Sequence, residues 1–292
     1  MSVQGTAPTR GGLGELLIDP RTIVPLVRKE LRDALRNRWF LLYTCAFGAL
    51  AVGLATLSQI GTGLTGFAGF GKMTASLVNL VLLVVPLMAL TVGASGLSAE
   101  RERGMLAYLL SQPVTRLEVF LAKFIGLGLA LAGSISIGFG VSVAWLAFRS
   151  AQADVGVFVR LVALSILLAL AMLAVGMLLS VVLRRSSTAI GGAVFVWLGF
   201  VFVGDLGLMG ATIMFKLPIQ QLFGLSMINP TQAFKLAAVG GFDSTLDLLG
   251  PAGLYGVQTF GAWLTPMLLG AITAWIIVPL VIAGFFFTRR PL

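Results

Sequence analysis

The sequence predicts an all-α membrane protein with six transmembrane helices, and three observations carry that prediction. Hydrophobic residues fill 58% of the 292 positions. Charged residues fill 11%, against ~25% in an average soluble domain. Apolar runs of the ~20 residues needed to cross ~30 Å of hydrocarbon can be placed at 39–60, 75–97, 119–148, 156–183, 188–215 and 262–288. No soluble domain fits in what remains, because the longest intervening segment, 216–261, is itself amphipathic and cut by Pro218, Pro230 and Pro251.

The basic excess, 20 Lys and Arg against 11 Asp and Glu, is explained by its placement. With residue 1 in the cytoplasm, 15 basic residues fall on the cytoplasmic side, and five (Lys72, Arg149, Arg160, Lys216, Lys235) fall outside. Lys and Arg accumulate on the cytoplasmic face of membrane proteins, so both termini are expected inside. The membrane, and not a nucleic acid, is then what the positive charge serves.

Taken in order, residues 1–17 are rich in Gly, Thr and Pro without apolar periodicity, and a disordered cytoplasmic tail is expected. Asp19 followed by Pro20 is a helix start signal. Val24, Val27, Leu31 and Leu35 recur at helical spacing opposite Arg28, Lys29, Arg32 and Arg36. Segment 18–38 is therefore expected as an amphipathic interfacial helix in the headgroup plane, suited to anchoring or to contact with a cytoplasmic partner. The first span, 39–60, holds Cys45, the single cysteine, expected as a small core residue. One cysteine and no histidine exclude an internal disulfide, imidazole catalysis and a histidine metal site.

Gly66 to Lys72 reads GFAGFGK, matching the opening of a phosphate-binding loop. Met73 stands where a Ser or Thr would hold magnesium, and the stretch lies between two spans without a preceding strand. A bending glycine turn is the expected reading.

The segment between spans two and three is the most polar interruption in the chain. Seven charges fall within the 26 positions from Ser98 to Lys123. A charge at the bilayer centre costs ~2.5–3.5 kcal/mol on the insertion scale, so this segment must lie outside the hydrocarbon. Glu100, Arg101, Glu102 and Arg103 alternate in sign before Gly104. Met105, Leu106, Leu109 and Leu110 then follow at helical spacing, which predicts a short amphipathic helix with an apolar ridge. Pro113 should end it, with a turn before Thr115 or Arg116 restarts a helix. A ridge with charged flanks between two spans suits docking in a groove of a soluble partner, while a plain solvated loop needs charges as well.

Gly126, Gly128, Gly133, Gly138 and Gly140 smooth one flank of the third span, which should pack against protein. A tight turn at 184–187 should make spans four and five an antiparallel pair. Asp205 is the acid within a span and hence a functional candidate; its position near the outer interface also fits a hydrated structural acid. In 216–261, Asn229 and Pro230 should start a helix running to Val239, within an expected extracytoplasmic lid of interfacial helices. Met73, Met209, Met214, Met227 and Met267 are scattered, so no soft-metal site is expected. Asp205, Asn79 and hydroxyl groups make no catalytic constellation, and no catalytic residue is assigned.

Six spans, a preceding amphipathic helix and a helix-Pro-helix loop resemble the type-two class of ATP-binding-cassette permeases. The motif ERERGMLAYLLSQPVTRLEVFLAKFIG, Glu100 to Gly126, is similar to that class's E-R-E-x-G, L-L, P-V, R and G-K pattern, with Ala122 where glycine is usual. Within the class, LRNRWF (35–40), LLSQPVTR (109–116) and INPTQAFKLAAVGGF (228–242) resemble permeases that serve copper-site maturation of nitrous oxide reductase. The resemblance implies a homodimer in the bacterial inner membrane, with loop 98–118 as the coupling segment. It also implies a separate cytoplasmic ATPase subunit that binds ATP and Mg, with no cofactor on this chain. A periplasmic beta-helical protein is implied on the outer side, and in the ATPase contact the ridge would dock while Glu100, Arg101, Glu102, Arg103 and Arg116 orient it. Either a force transducer or an exporter of a lipid, peptide or drug-like molecule fits these expectations.

Overall fold

The computed structural model describes residues 20–60, 67–111, 114–149, 155–204, 207, 210, 218–240 and 250–289. Among the described residues every regular element is a helix: α1 (Pro20–Arg36), α2 (Arg38–Ile60), α3 (Phe67–Glu102), α4 (Met105–Leu110), α5 (Arg116–Arg149), α6 (Val155–Val182), α7 (Ser186–Leu198), α8 (Ile219–Ile228), α9 (Pro230–Val239), α10 (Gly250–Phe260) and α11 (Leu264–Arg289). A wider π-type turn, Gly199–Val203, continues α7. The tail 1–17 and Asp205 lie outside the described residues.

Among the described residues, five stretches are long and apolar enough to cross a membrane: Ala75–Glu102, Arg116–Trp145, Gly156–Val182, Ser186–Val203 and Gly253–Arg289. The first expected span coincides with α2, 23 residues long, whose apolar stretch Phe40–Leu54 is shorter than those five. The second begins earlier than its apolar run suggested. Phe67 to Lys72 open α3 as helix, so the phosphate-loop look-alike is not the bending turn expected there.

The bundle is organised around α3 and α6, its most extensively packed pair. Between membrane helices there is no hydrophobic force of the kind that works in water, so close van der Waals packing must hold them. Gly93 and Gly176 make that packing possible. A methyl group on Gly93 would lie 2.7 Å from the Leu173 carbonyl oxygen, and one on Gly176 2.5 Å from that of Leu90. The Ser180 hydroxyl accepts from the Leu97 and Ser98 amides at 3.0 and 2.8 Å, a polar clasp near one end of the pair. Helix α11 packs against α6, α5 against α1, α2 and α6, and α7 mainly against α3. The turn after α6 is tight, as expected, but α7 takes its main support from the second span and not from its hairpin neighbour.

On the third span the smooth flank is used in part. Gly126 meets α1, Gly128 meets Leu170 of α6, and Gly138 meets Phe47 of α2, while Gly133 and Gly140 face open space. On α2 the buried face is Phe40, Phe47 and Ala51, at spacings of seven and four. Cys45 falls off that face and is exposed, not in the core.

The segment expected as a surface lid is partly sunk into the bundle. Helix α9 is buried on nearly every side, including Pro230, Thr231, Gln232, Ala233, Phe234, Leu236, Ala237, Ala238 and Val239, and it packs against α11, α6 and α3. Helices α8 and α9 form a V with Asn229 at its tip. Near the open ends, Phe223 stacks on Phe260 and Gly240 lies beside Leu264. At the tip, Ile228 accepts from the Trp275 indole at 2.8 Å, about 16 Å further along α11 at 1.5 Å per residue. Ten residues are too few to span, yet apart from Thr231, Gln232 and Lys235 α9 is apolar, so burial among longer helices satisfies it better than an interface would.

Candidate functional site

The polar interruption becomes a platform at one end of the bundle. Helix α3 stops at Glu102, and Gly104 adopts φ +70°, a left-handed conformation that reverses the chain into α4. Nothing lies within 4 Å of where its side chain would stand, so backbone conformation alone requires glycine there. Helix α4 ends before Ser111, whose hydroxyl donates to the Tyr108 carbonyl at 2.7 Å; Pro113 lies outside the described residues. Thr115 and Glu118 then close a capping box at the start of α5. The Thr115 amide donates to Glu118 Oε2 at 2.8 Å, and the Glu118 amide donates to Thr115 Oγ1 at 3.2 Å. The other Glu118 oxygen accepts from Thr22 Oγ1 of α1 at 2.8 Å, tying the two helices together.

The ridge expected on α4 is divided. Leu106 is 1% and Leu109 8% exposed, both turned into the chain itself, whereas Met105 is 43% and Tyr108 69% exposed. In a six-residue helix, positions three apart share a face, and 106 with 109 took the one towards the bundle. The side chain of Leu110 is outside the described set. A partner docking here meets Met105 and Tyr108, with Arg103 and Gly104 exposed beside them.

Two of the carboxylates expected to face a partner are engaged within the chain. Lys123 Nζ is buried and donates to Glu100 Oε1 at 2.8 Å and Glu30 Oε2 at 2.7 Å, joining α3, α5 and α1 at one point. Lys29 reaches Glu30 at 3.2 Å and Asp33 at 3.6 Å. Burial pushes the Glu30 carboxyl up, but the charge and hydrogen bond of Lys123, then those of Lys29, outweigh it and hold the group below the ordinary carboxylate range. Burial likewise works against a charged Lys29, and the Glu30 carboxylate beside it, with Glu100 and Asp33, raises its pKa. Glu102 Oε1 accepts from the Ser186 amide at 2.9 Å, supplying from α3 the cap that α7 lacks, since its N-cap Arg185 makes no side-chain cap bond. Arg101 and Arg116 are half-buried.

A family model described as "ABC-2 family transporter protein" matches residues 24–292. The chain belongs to the ABC-2 family of transporters. It is also 35% identical over 274 residues to a "Probable ABC transporter permease protein NosY" of Stutzerimonas stutzeri, covering 91% of this chain and 97% of that one. The protein of the same name from Pseudomonas aeruginosa is 34% identical over 275 residues, covering 91% and 98%. An ABC-2 permease with these helices is a multi-pass membrane protein.

Within this ABC-2 chain, sequence reasoning missed the groups that hold the platform together. Glu30 had a readable signal: it falls among Val27, Leu31 and Ala34, an acid on the apolar face of α1, and such an acid needs a buried cation. The capping box at Thr115 and Glu118 was legible by its spacing as well. The pairing of Glu102 with Ser186 carried no such sign, because it joins residues 84 positions apart.

A second polar cluster lies at the tip of the V. Asn229 Oδ1 caps α9 by accepting from the Thr231 amide at 3.0 Å. Its Nδ2 donates to the Phe200 carbonyl in the π-type turn at 2.8 Å, and the single proton of Thr231 Oγ1 is shared between that carbonyl at 3.2 Å and Asn229 Oδ1 at 2.7 Å. The Phe200 ring stands edge-on to Trp275, centroids 5.2 Å apart. Of the methionines expected towards the outside, Met227 is half-buried and Met267 exposed; the side chains of Met73, Met209 and Met214 are outside the described set.

Proposed function

We propose that this chain is a permease subunit coupling ATP hydrolysis by a separate cytoplasmic ATPase to conformational change across the bacterial inner membrane. The observation that carries the reading is α4: a short helix with Met105 and Tyr108 outward, mounted through Leu106 and Leu109 on a base locked by Lys123. An element so held cannot yield locally when a partner pushes on it, so displacement passes into the helices beneath. In this reading the α4 end faces the cytoplasm, both termini lie there, and two copies of a six-span chain form the working unit. ATP and Mg belong to the ATPase. Helix α5, 34 residues long and about 50 Å from end to end, rises from the platform as one rod.

The similarity to the two NosY proteins, with the 35–40, 109–116 and 228–242 stretches, supports copper-site maturation of nitrous oxide reductase as the setting. A periplasmic beta-helical protein is then the receiver of the motion on the far side. The test is affinity purification of the tagged full chain from its host in mild detergent, with mass spectrometry of what accompanies it. An ATPase together with a periplasmic beta-helical protein is the expected result. An ATPase alone turns the reading towards export of a lipid, peptide or drug-like molecule, and recovery without any ATPase overturns it.

A further inference from the structure

Helix α5 reaches the platform but has no extensive contact with the V among the described residues; its packing is against α1, α2, α3, α6 and α11. Helix α7 is different, because it is gripped by polar groups at both ends. At the α4 end, the Ser186 amide is held by Glu102, two residues before Gly104 and α4. Toward the far end, the Phe200 carbonyl is held by Asn229 and Thr231 at the tip of the V. Fourteen residues separate the two grips, about 21 Å of helix.

The far grip has features that make it specific. A wider π-type turn leaves a carbonyl without its usual amide four residues on, so Phe200 in that turn suits an outside donor. Gly204 lets the helices approach there, since a methyl on it would lie 2.6 Å from Asn229 Nδ2 and 2.9 Å from Gln232 Nε2. Along its length α7 packs on one side against α3 and leaves its other side open in the single chain: 11% of its apolar stretch is buried, against 67% in α3 and α6. One further polar contact, from Trp197 Nε1 to the Leu83 carbonyl at 3.1 Å, guides it along α3.

We infer that α7 is a strut, with Glu102 and the Asn229–Thr231 pair as the positioning residues that carry displacement of the α4 platform to the V. Pull or push on Glu102 moves the first turn of α7. The helix, stiff along its axis and packed on one side only, passes that shift along α3 to Phe200, and the tip of the V follows. A π-type turn can also absorb or release one residue of register, which gives the far grip two arrangements between which to move. The inference rests on the proposed coupling to an ATPase.

The test is hydrogen exchange by mass spectrometry on the full chain in its ATPase complex, in lipid nanodiscs, with and without ATP. In the unmodified chain, ATP is expected to alter exchange in α4, in the first turn of α7 and in α8–α9. The variant N229D/T231V keeps an oxygen to cap α9 but removes both groups that can donate to Phe200. It is expected to keep the ATP response in α4 and the start of α7 while that in α8–α9 falls roughly fivefold or more. E102A is expected to keep the response in α4 and lose it in α8–α9, although it leaves the far grip untouched. Undiminished α8–α9 responses in both variants overturn the strut and leave the coupling to an ATPase standing. No ATP response anywhere in the unmodified complex overturns that coupling and the strut with it.

Discussion

The α3–α6 pair and α7 are both long apolar helical elements, yet they are held in opposite ways. The pair packs extensively and meets backbone to backbone where Gly93 faces Gly176. Helix α7 lies on the surface of that pair and is fixed by hydrogen bonds near its ends. Continuous contact makes a rigid reference, because two interlocked backbones have one arrangement. End contacts on a smooth flank permit sliding. A membrane transducer needs both kinds, a frame and something that moves against it.

The contrast can be broken or sharpened by substitution. The largest effect is expected where the frame meets the platform: Lys123→Met removes the cation shared by Glu30 and Glu100, leaving Glu30 only Lys29, and should cost about 3 kcal/mol, read as a large fall in the thermal transition in detergent. Next is Gly176→Ala, whose methyl meets the Leu90 carbonyl; overpacking of this kind costs about 1–3 kcal/mol, visible in the same melt. Leu106→Asp, which the ridge spacing alone would make a clean uncoupling change, should belong with these two, since it buries a charge. Tyr108→Asp should leave the melt unchanged and weaken co-purification of the ATPase.

A smaller effect is expected from acid. The Glu30 pKa is lowered by folding from an ordinary value of 4.5, so its contribution is present above that value and is lost as pH falls through the folded pKa. Melts taken below pH 4.5 should show a falling limb that Glu30→Gln flattens. The smallest effect, and the sharpest contrast, is the same glycine-to-alanine change moved to the strut. Gly191 has nothing within 4 Å of its missing side chain, so Gly191→Ala should stabilise by at most about 1 kcal/mol through helix propensity. Equal losses at Gly176 and Gly191 would end the distinction between frame and strut.

Local signals were legible in the sequence. Pro20 begins α1, Asn229 caps α9 with Pro230 in its first turn, and the turn after Glu102 needed its glycine; each depends on a few neighbouring residues. The span positions follow from apolar runs, although α3 outran its run at both ends because helix continues past the hydrocarbon while hydrogen bonds still favour it. Tertiary choices were not legible. Nothing local decides whether Leu106 and Leu109 face a partner or their own bundle, or that Cys45 sits one step off the buried stripe of α2. The 216–261 region misled for a related reason: an apolar ten-residue helix reads as interfacial until there is a cleft to receive it.

That cleft carries a consequence for how the chain is made. The tip of the V depends on Trp275, which sits in the last helix and holds the Ile228 carbonyl. A backbone carbonyl left bare in lipid is costly. During synthesis, then, α8 and α9 are expected to reach their final seat only once α11 has been inserted behind them. Chains cut short before Trp275 should be caught with this segment still outside, and so open to a protease that the finished protein resists.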